Sequence, residues 1–375
     1  MDARTPVVIA ARRTPIATRG RALSGLPIDA LAAPVLAAAL DDARAASRRQ
    51  IVVGDVVLGN CMGPGGNPAR TAALRAGLGH EIPGVTVDRQ CGSGLAAVIT
   101  AAQAIGAGDD RLQLAGGAES ASTAPVRSLD GVPYDRAPFV PAGWSDPGMP
   151  RAAEDLAAAA GIPRSRQDTY AARSHRRAVA AAGRRAFTHE LVPVGGLLAD
   201  ELPSRGASLL PRFTPLFPGG SLTAGNSCRI SDGAAAVALV ASGTHAGPGL
   251  ALRSHAVIGC DPALPGLGAA PAIEAALRSA GRAVSDVAAI EVVEAFAVQT
   301  LAVLERIGVA DDDPRVCADG GALAWGHPWG ASGAVSVVRL FGRLMRGGAP
   351  PGTLGLAAAS VGGGLGVAAV FEVVR

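Results

Sequence analysis

Apolar runs along this chain are short and are closed by glycine, proline or arginine. PVVIAARRTP near the start ends in Arg and Pro, which predicts a first strand. PIDALAAPVLAAALDDA spaces its apolar residues at helical intervals despite Pro34, and predicts a helix. GDVVLGNCM reads as a buried strand between glycines, and ARTAALRAGL as a helix. GVTVDRQ reads as a strand leading to Cys91, and GSGLAAVITAAQAIGAG as the helix after it. RLQLAGGAES reads as a strand with a tight Gly-Gly end. Strands alternating with helices predict an α/β fold.

From residue 121 to about 230 the texture changes to Pro, Gly and Arg, around one long helical segment, RSRQDTYAARSHRRAVAAAGRRAF. Buried-strand composition returns with DGAAAVALVAS, and from Arg253 the alternation resumes. SDVAAIEVVEAFAVQTLAVLERIGV echoes GDVVLGNCM and a following helix. RVCADGGALAWGHPWGASGAVSVVRLFGRLMRGG echoes the Cys91 segment: a strand, a Gly-rich turn, then Ser-Gly and an apolar helix. GLAAASVGGGLGVAAV parallels RLQLAGGAES. Two similar α/β halves are therefore expected, residues 1–120 with 231–252 and residues 253–375, and residues 121–230 form an insertion. A site at the junction of such halves draws residues from both.

At 375 residues the chain is long enough for two or three domains or one large α/β body. Hydrophobic residues make up 49% and aromatics only 3%, so the core must be Ala, Val and Leu, which lets elements approach closely. The net charge of +3 is near neutral, and there is no basic block of the kind that marks a nucleic-acid binder. All 34 basic residues are arginine, so any cationic phosphate contact is an arginine. Five cysteines, at 61, 91, 228, 260 and 317, show no CxxC spacing, which argues against a disulfide framework or a zinc site. The N-terminus lacks the apolar core of a signal peptide, and Gly and Arg interrupt every candidate membrane span. A reduced, cytoplasmic protein with no membrane or metal partner is the expectation.

Cys91 stands where a strand meets a helix, a place where amide N–H groups and the helix dipole favour a thiolate. Gly92 and Gly94 would let a substrate carbonyl approach N–H donors that hold an oxyanion. A buried cysteine in a tight turn has the same local sequence. His327, in GGALAWGHPWGASG, occupies the matching turn of the second half, where an imidazole could take a thiol proton or cap a carbonyl. The SVGGGLG turn from Ser360 offers Gly362, Gly363 and Gly364 as further N–H donors, or is a plain loop between strands.

DRQCGSGLAAV, GGAES, LTAGNSCRISDGAAA, EAFA, GGALAWGHPWGASG and GGGLG stand in the order found in thiolases, and the chain resembles that family over essentially its whole length. The resemblance implies two βαβαβαββ halves in a five-layered α-β-α-β-α arrangement, with a loop domain inserted in the first. It implies an acyltransferase that forms an acyl-cysteine from an acyl-CoA, has no permanently bound cofactor, and works as a homodimer or homotetramer. Cys91 matches the acylated nucleophile and His327 the histidine that activates it and lines one oxyanion hole. The N–H groups of Cys91 and Gly362 match the second. Ala224, Cys228 and Ile230 match pantetheine contacts, while Met149, Ala295 and Phe296 match pocket walls. The inserted segment would carry most CoA contacts.

The chain departs from the family pattern at three positions. Ser360 stands where a second cysteine serves as base for the carbon–carbon step, and a hydroxyl is a poor proton carrier near neutral pH. Val293 stands where an asparagine holds a water in the first oxyanion hole. Gly148 stands before Met149 where many members have a pocket histidine. Trp325 and Trp329 flank the His327 turn and either narrow the pocket or pack beneath it. The expectation is acyl transfer through Cys91 by Claisen-type condensation, thiolysis or a variant. Decarboxylative condensation, or a non-catalytic acyl-CoA-binding or scaffold role, are the alternatives.

Overall fold

The structure is a computed structural model, and it describes residues 2–47, 50–202 and 207–375. The first half runs β1 (Pro6–Arg13), β2 (Ala17–Thr18), α1 (Ile28–Ala46), β3 (Val53–Gly59), α2 (Pro68–Arg75), β4 (Val85–Val87), α3 (Ser93–Gly106) and β5 (Leu112–Glu119). A hairpin of β6 (Arg127–Leu129) and β7 (Val132–Tyr134) follows, then α4 (Met149–Ala159) and α5 (Arg164–Gly183). Next come β8 (Ser231–Ala241), β9 (Gly249–Gly259), α6 (Ala269–Ser279), β10 (Val287–Val292) and α7 (Ala297–Arg306). The short α8 (Ala322–Trp325), α9 (Trp329–Phe341), β11 (Leu354–Val361) and β12 (Leu365–Val374) complete the chain.

The strands lie in the order β10-β11-β12-β9-β1-β8-β5-β3-β4. Each half repeats one arrangement, with β3, β5, β8 and β1 answered by β10, β11, β12 and β9. The halves meet edge to edge, where β1 pairs antiparallel with β9 at Val7–Ala251 and Val8–Leu250. The strand expected in RVCADG is reduced to a single parallel bridge, Ile290–Val316, because glycines follow at once and the chain turns into α8.

Period-two alternation sorts the side chains into layers. Along β8, Ala235, Val237, Leu239 and Ala241 face one core, and Ala234, Ala236, Ala238 and Val240 face another. Along β12, Val367, Ala369, Phe371 and Val373 join the same central core as α3 and α9, and Ala368 and Val370 face outward to α6 and α7. Helices α1 and α2 cover the outer face of the first half. The result is the five-layered α-β-α-β-α stack, with α3 and α9 in the middle layer.

The insertion holds more than the one helix expected. α4 and the β6–β7 hairpin were not read from the sequence, since MPRAAEDLAAA is a short, weakly apolar helix begun by proline at its first turn. The boundary at 252/253 falls inside β9, which pairs with β12 from Gly249 onward. The tail of the insertion is tied back by buried charges. Arg13 donates to Glu190 at 2.7 Å and to Asp200 at 2.7 and 2.8 Å. Arg339 of α9 binds Glu190 and Asp319.

Candidate active site

β4 delivers the chain to a tight turn, Gln90–Gly92, and then into α3. Gln90 takes a left-handed conformation, φ +45°. Ser93 fastens that turn: its Oγ donates to the Gln90 carbonyl at 2.7 Å and accepts the Arg89 N–H at 2.7 Å. At the Cys91 sulfur, burial pushes the thiol up to about 12, and the charges of Glu119 and Asp88 add to this. Two backbone N–H groups, those of Cys91 itself and Gly362, pull the other way. The expected resident thiolate is therefore corrected. The two donors are present, but removing the site from water costs the anion more than they return. The thiol keeps its proton until a base takes it.

His327 opens the turn before α9, the helix that packs against the Gln90–Gly92 turn. The backbone N–H of His327 donates to the Arg229 carbonyl at 2.8 Å, and its ring Nδ1 lies 2.6 Å from Ser332 Oγ. Ser332 Oγ donates to the Pro328 carbonyl at 3.1 Å, so the shared proton of the 2.6 Å bond belongs to Nδ1. The lone pair then sits on Nε2, which is buried with no partner among the described residues. Burial lowers the imidazole to about 3, so it is neutral and able to accept a proton at any ordinary pH. Arg229 brackets the turn: beside its carbonyl contact, its guanidinium donates to the Ala324 carbonyl at 2.7 Å and to Thr18 Oγ1 at 3.1 Å.

Glycine lets the two turns meet. A Cβ on Gly94 would lie 2.8 Å from Ala334 N and 2.9 Å from the Gly330 carbonyl, and one on Gly333 2.6 Å from Leu95 N. The expectation that Gly92 and Gly94 leave room for substrate is corrected. Gly94 is filled by the backbone of α9, and a Cβ on Gly92 would meet Val361 and Val367. Glu119, buried at the end of β5, locks the junction. Its carboxylate accepts the N–H groups of Cys61, Met62 and Gly330 at 3.0–3.1 Å and the Asn60 side chain at 2.8 Å.

The strip before β8 joins the same place. Cys228 N–H donates to the Ala295 carbonyl at 2.9 Å, Ser227 bridges to Phe296, and Ile230 bridges to His327. Cys228, Ile230, Ala295, Phe296 and His327 are thus brought together. Ala224 is exposed at the start of that strip. Met149 is half-buried and opens α4, which packs on α7.

Ser360 is engaged elsewhere. It shares the outward side of β11 with Leu356 and Ala358, and its Oγ donates to the Gly266 carbonyl at 2.7 Å and accepts the Ala269 N–H at 3.0 Å. Val293 packs with Ala322, Ala359 and Cys228 in a small apolar cluster. Trp325 packs edge-on against Phe187 at 5.6 Å, and Trp329, half-buried, opens α9. Gly148 caps α4, where an added Cβ would meet open space.

Sequence reasoning passed over Glu119, Arg229, Ser332 and Phe139. The first three lie inside motifs already singled out, and their buried polar character was the available signal. Phe139 comes from the insertion and lays its ring on Gly362, where a Cβ would approach it to 2.7 Å; nothing in the local sequence announces it.

Comparison with known proteins matches residues 6–243 to the thiolase N-terminal domain and residues 248–373 to the thiolase C-terminal domain. The chain belongs to the thiolase family. As a member it is an acyltransferase enzyme. It is 39% identical to an acetyl-CoA acetyltransferase of Escherichia coli, with 98% of each chain covered. Among solved structures, it is similar to the Bacillus anthracis acetyl-CoA acetyltransferase, at 32% identity, a TM-score of 0.88 and 99% coverage of each chain. It is also similar to human mitochondrial 3-ketoacyl-CoA thiolase, at 30% identity, a TM-score of 0.87 and full coverage of both.

Proposed function

We propose that this enzyme takes an acyl group from an acyl-CoA onto Cys91 and passes it on by Claisen-type condensation or thiolysis. The reading rests on one observation: the Cys91 sulfur meets the Gly362 N–H, and α9, which packs on the Gln90–Gly92 turn, is led in by His327, a neutral imidazole whose buried Nε2 has no partner among the described residues. As the thiol attacks, its proton moves to His327 Nε2, and the charge forming on the thioester oxygen is received by the N–H groups of Cys91 and Gly362. Collapse expels CoA, which takes the proton back from His327. The pantetheine arm would lie along Ala224, Cys228 and Ile230, facing Ala295, Phe296 and Met149, and the inserted segment would hold the rest of CoA. The names of the relatives favour an acetyl donor. The division into two halves and an insertion, a cytoplasmic location, and assembly as a homodimer or homotetramer belong to the same reading. Assembly is supported by the hairpin side chains Leu129 and Val132, 71% and 67% exposed, and by Val126 just before the hairpin, 84% exposed.

The test is intact-protein mass after mixing with acetyl-, longer acyl- and malonyl-CoA. An acyl adduct in the parent that is absent from Cys91→Ala supports the reading. An unmodified parent with every donor refutes it.

A further inference from the structure

Between α8, α9 and the end of β10 lies a cavity of about 20 Å³, room for a single water. Every side chain on its wall is more than nine-tenths buried. Ile16, Val293 and Trp325 make part of that wall apolar. The polar part is Glu291 of β10 together with Ser332, Ser336 and Arg339, whose spacing of four and three puts them on one face of α9. Arg339 spends Nη1 on Glu190 and Nη2 on Asp319, and its Nε has no partner among the described residues. An N–H buried without an acceptor is costly. Glu291 takes Arg343 on Oε1 at 2.6 Å. Burial raises the Glu291 carboxyl, while the charges of Arg343 and Arg339 act on it in the opposite sense, so the carboxylate is within electrostatic reach of both. Ser336 Oγ donates to the Ser332 carbonyl at 3.3 Å. Ser332 Oγ gives its hydrogen to the Pro328 carbonyl and one lone pair to His327 Nδ1, which leaves a second lone pair over. A cavity that joins a donor to acceptors suits one kind of occupant. An anion would face the Glu291 carboxylate and a cation the guanidinium, whereas a water answers both.

We infer that this cavity seats one water, which accepts from Arg339 Nε and donates to the Glu291 carboxylate and to Ser332 Oγ, and that Arg339 acts through it as a positioning residue for His327. The role in the reaction rests on the acyl-Cys91 reading; the water site does not. With its oxygen toward Arg339 and one hydrogen toward Glu291, the water turns its other hydrogen to Ser332. The Ser332 hydroxyl then cannot give its own hydrogen to the cavity and keeps it on the Pro328 carbonyl. Ser332 Oγ therefore stays an acceptor toward Nδ1. That holds the imidazole proton on Nδ1 and the lone pair on Nε2, the form that can take the Cys91 proton. A Ser332 hydroxyl turned to donate to Nδ1 would hold the other tautomer, which cannot.

The experiment sets crystal structures of the parent, Ser336→Ala, Ser336→Val and Ala322→Val beside two rates: Cys91 acylation by acetyl-CoA and Cys91 alkylation by iodoacetamide. The parent and Ser336→Ala should show a density peak within about 3.2 Å of Arg339 Nε and Ser332 Oγ. Ser336→Val and Ala322→Val put methyl groups into the cavity from opposite walls and should lose the peak. In a variant without the water, acylation at saturating acetyl-CoA should fall about tenfold or more. Its half-saturating acetyl-CoA concentration and its alkylation at pH 10 should not change, because alkylation of the thiolate needs no base. Ser336→Ala should match the parent in both rates. A parent without the peak overturns the site, and so does a peak that survives in both filling variants. A variant that lacks the water yet acylates at the parental rate overturns the positioning role, and so does one that loses acylation and alkylation together. A parent that does not acylate removes the acyl-Cys91 reading and the role built on it, while the density still decides the water.

Discussion

At the residue scale, the pair at the centre is two neutral groups held in reserve. Burial raises the Cys91 thiol to about 12 and lowers His327 to about 3, so neither is charged across the working range. The thiolate fraction of the free enzyme should therefore rise about tenfold per pH unit. Iodoacetamide alkylation of Cys91 should climb from pH 7 to pH 10 with no plateau, and a plateau near the ordinary thiol value of 9.0 would contradict this state. The sequence pointed to Cys91 and His327 because each stands at a glycine-rich turn before an apolar helix. It pointed the wrong way on ionisation. A helix N-terminus is visible in a sequence, whereas the burial that outweighs it, and the Glu119 charge that adds to it, arise only once distant segments pack together. Ser332 and Arg229 were equally hidden, since a hydroxyl five residues from an imidazole becomes its partner only when the start of α9 places it at 2.6 Å.

At the element scale, the site exists because α3 and α9 cross at backbone distance. Small residues at 94 and 333 are demanded by that crossing rather than by chain flexibility, and one at 330 by the approach of α9 to the end of β3. Gly94→Ala should push a methyl into Ala334 N and cost about 1–3 kcal/mol, since neither helix backbone can yield. Gly106→Ala, at the other end of α3 with nothing within 4 Å, should leave the melting temperature unchanged or slightly higher. Equal melting of the two variants by calorimetry would refute the crossing as the constraint. The strands β1, β3, β4, β5, β8, β10 and β11 and the helices α1, α2, α3, α5, α7 and α9 were legible from pattern and composition, whereas the strand expected in RVCADG is only a bridge. α4 and the hairpin were not, because short elements in a Pro- and Gly-rich stretch owe their form to what they pack against.

At the scale of the whole molecule, the two halves face each other and each supplies one turn. The β6–β7 hairpin stands out from this body with Leu129 and Val132 exposed. If it is an assembly surface, light scattering should give the parent a mass above the 37.2 kDa of one chain, and Leu129→Asp with Val132→Asp should lower it. A parent that already runs as a monomer would remove the role given to the hairpin. Which core each side chain of the uniformly buried β8 enters was left to the fold, but the sequence by itself determined the alternation of strands and helices, because apolar runs closed by Gly, Pro or Arg mark the elements one by one. It also determined the family, because ordered motifs carry that information without distances. Tertiary structure alone decided the protonation of Cys91 and His327 and the diversion of Ser360 to Gly266. Each depends on solvent exclusion or hydrogen bonding between segments tens to hundreds of residues apart. Those are energies of position, and position is what the linear order leaves open.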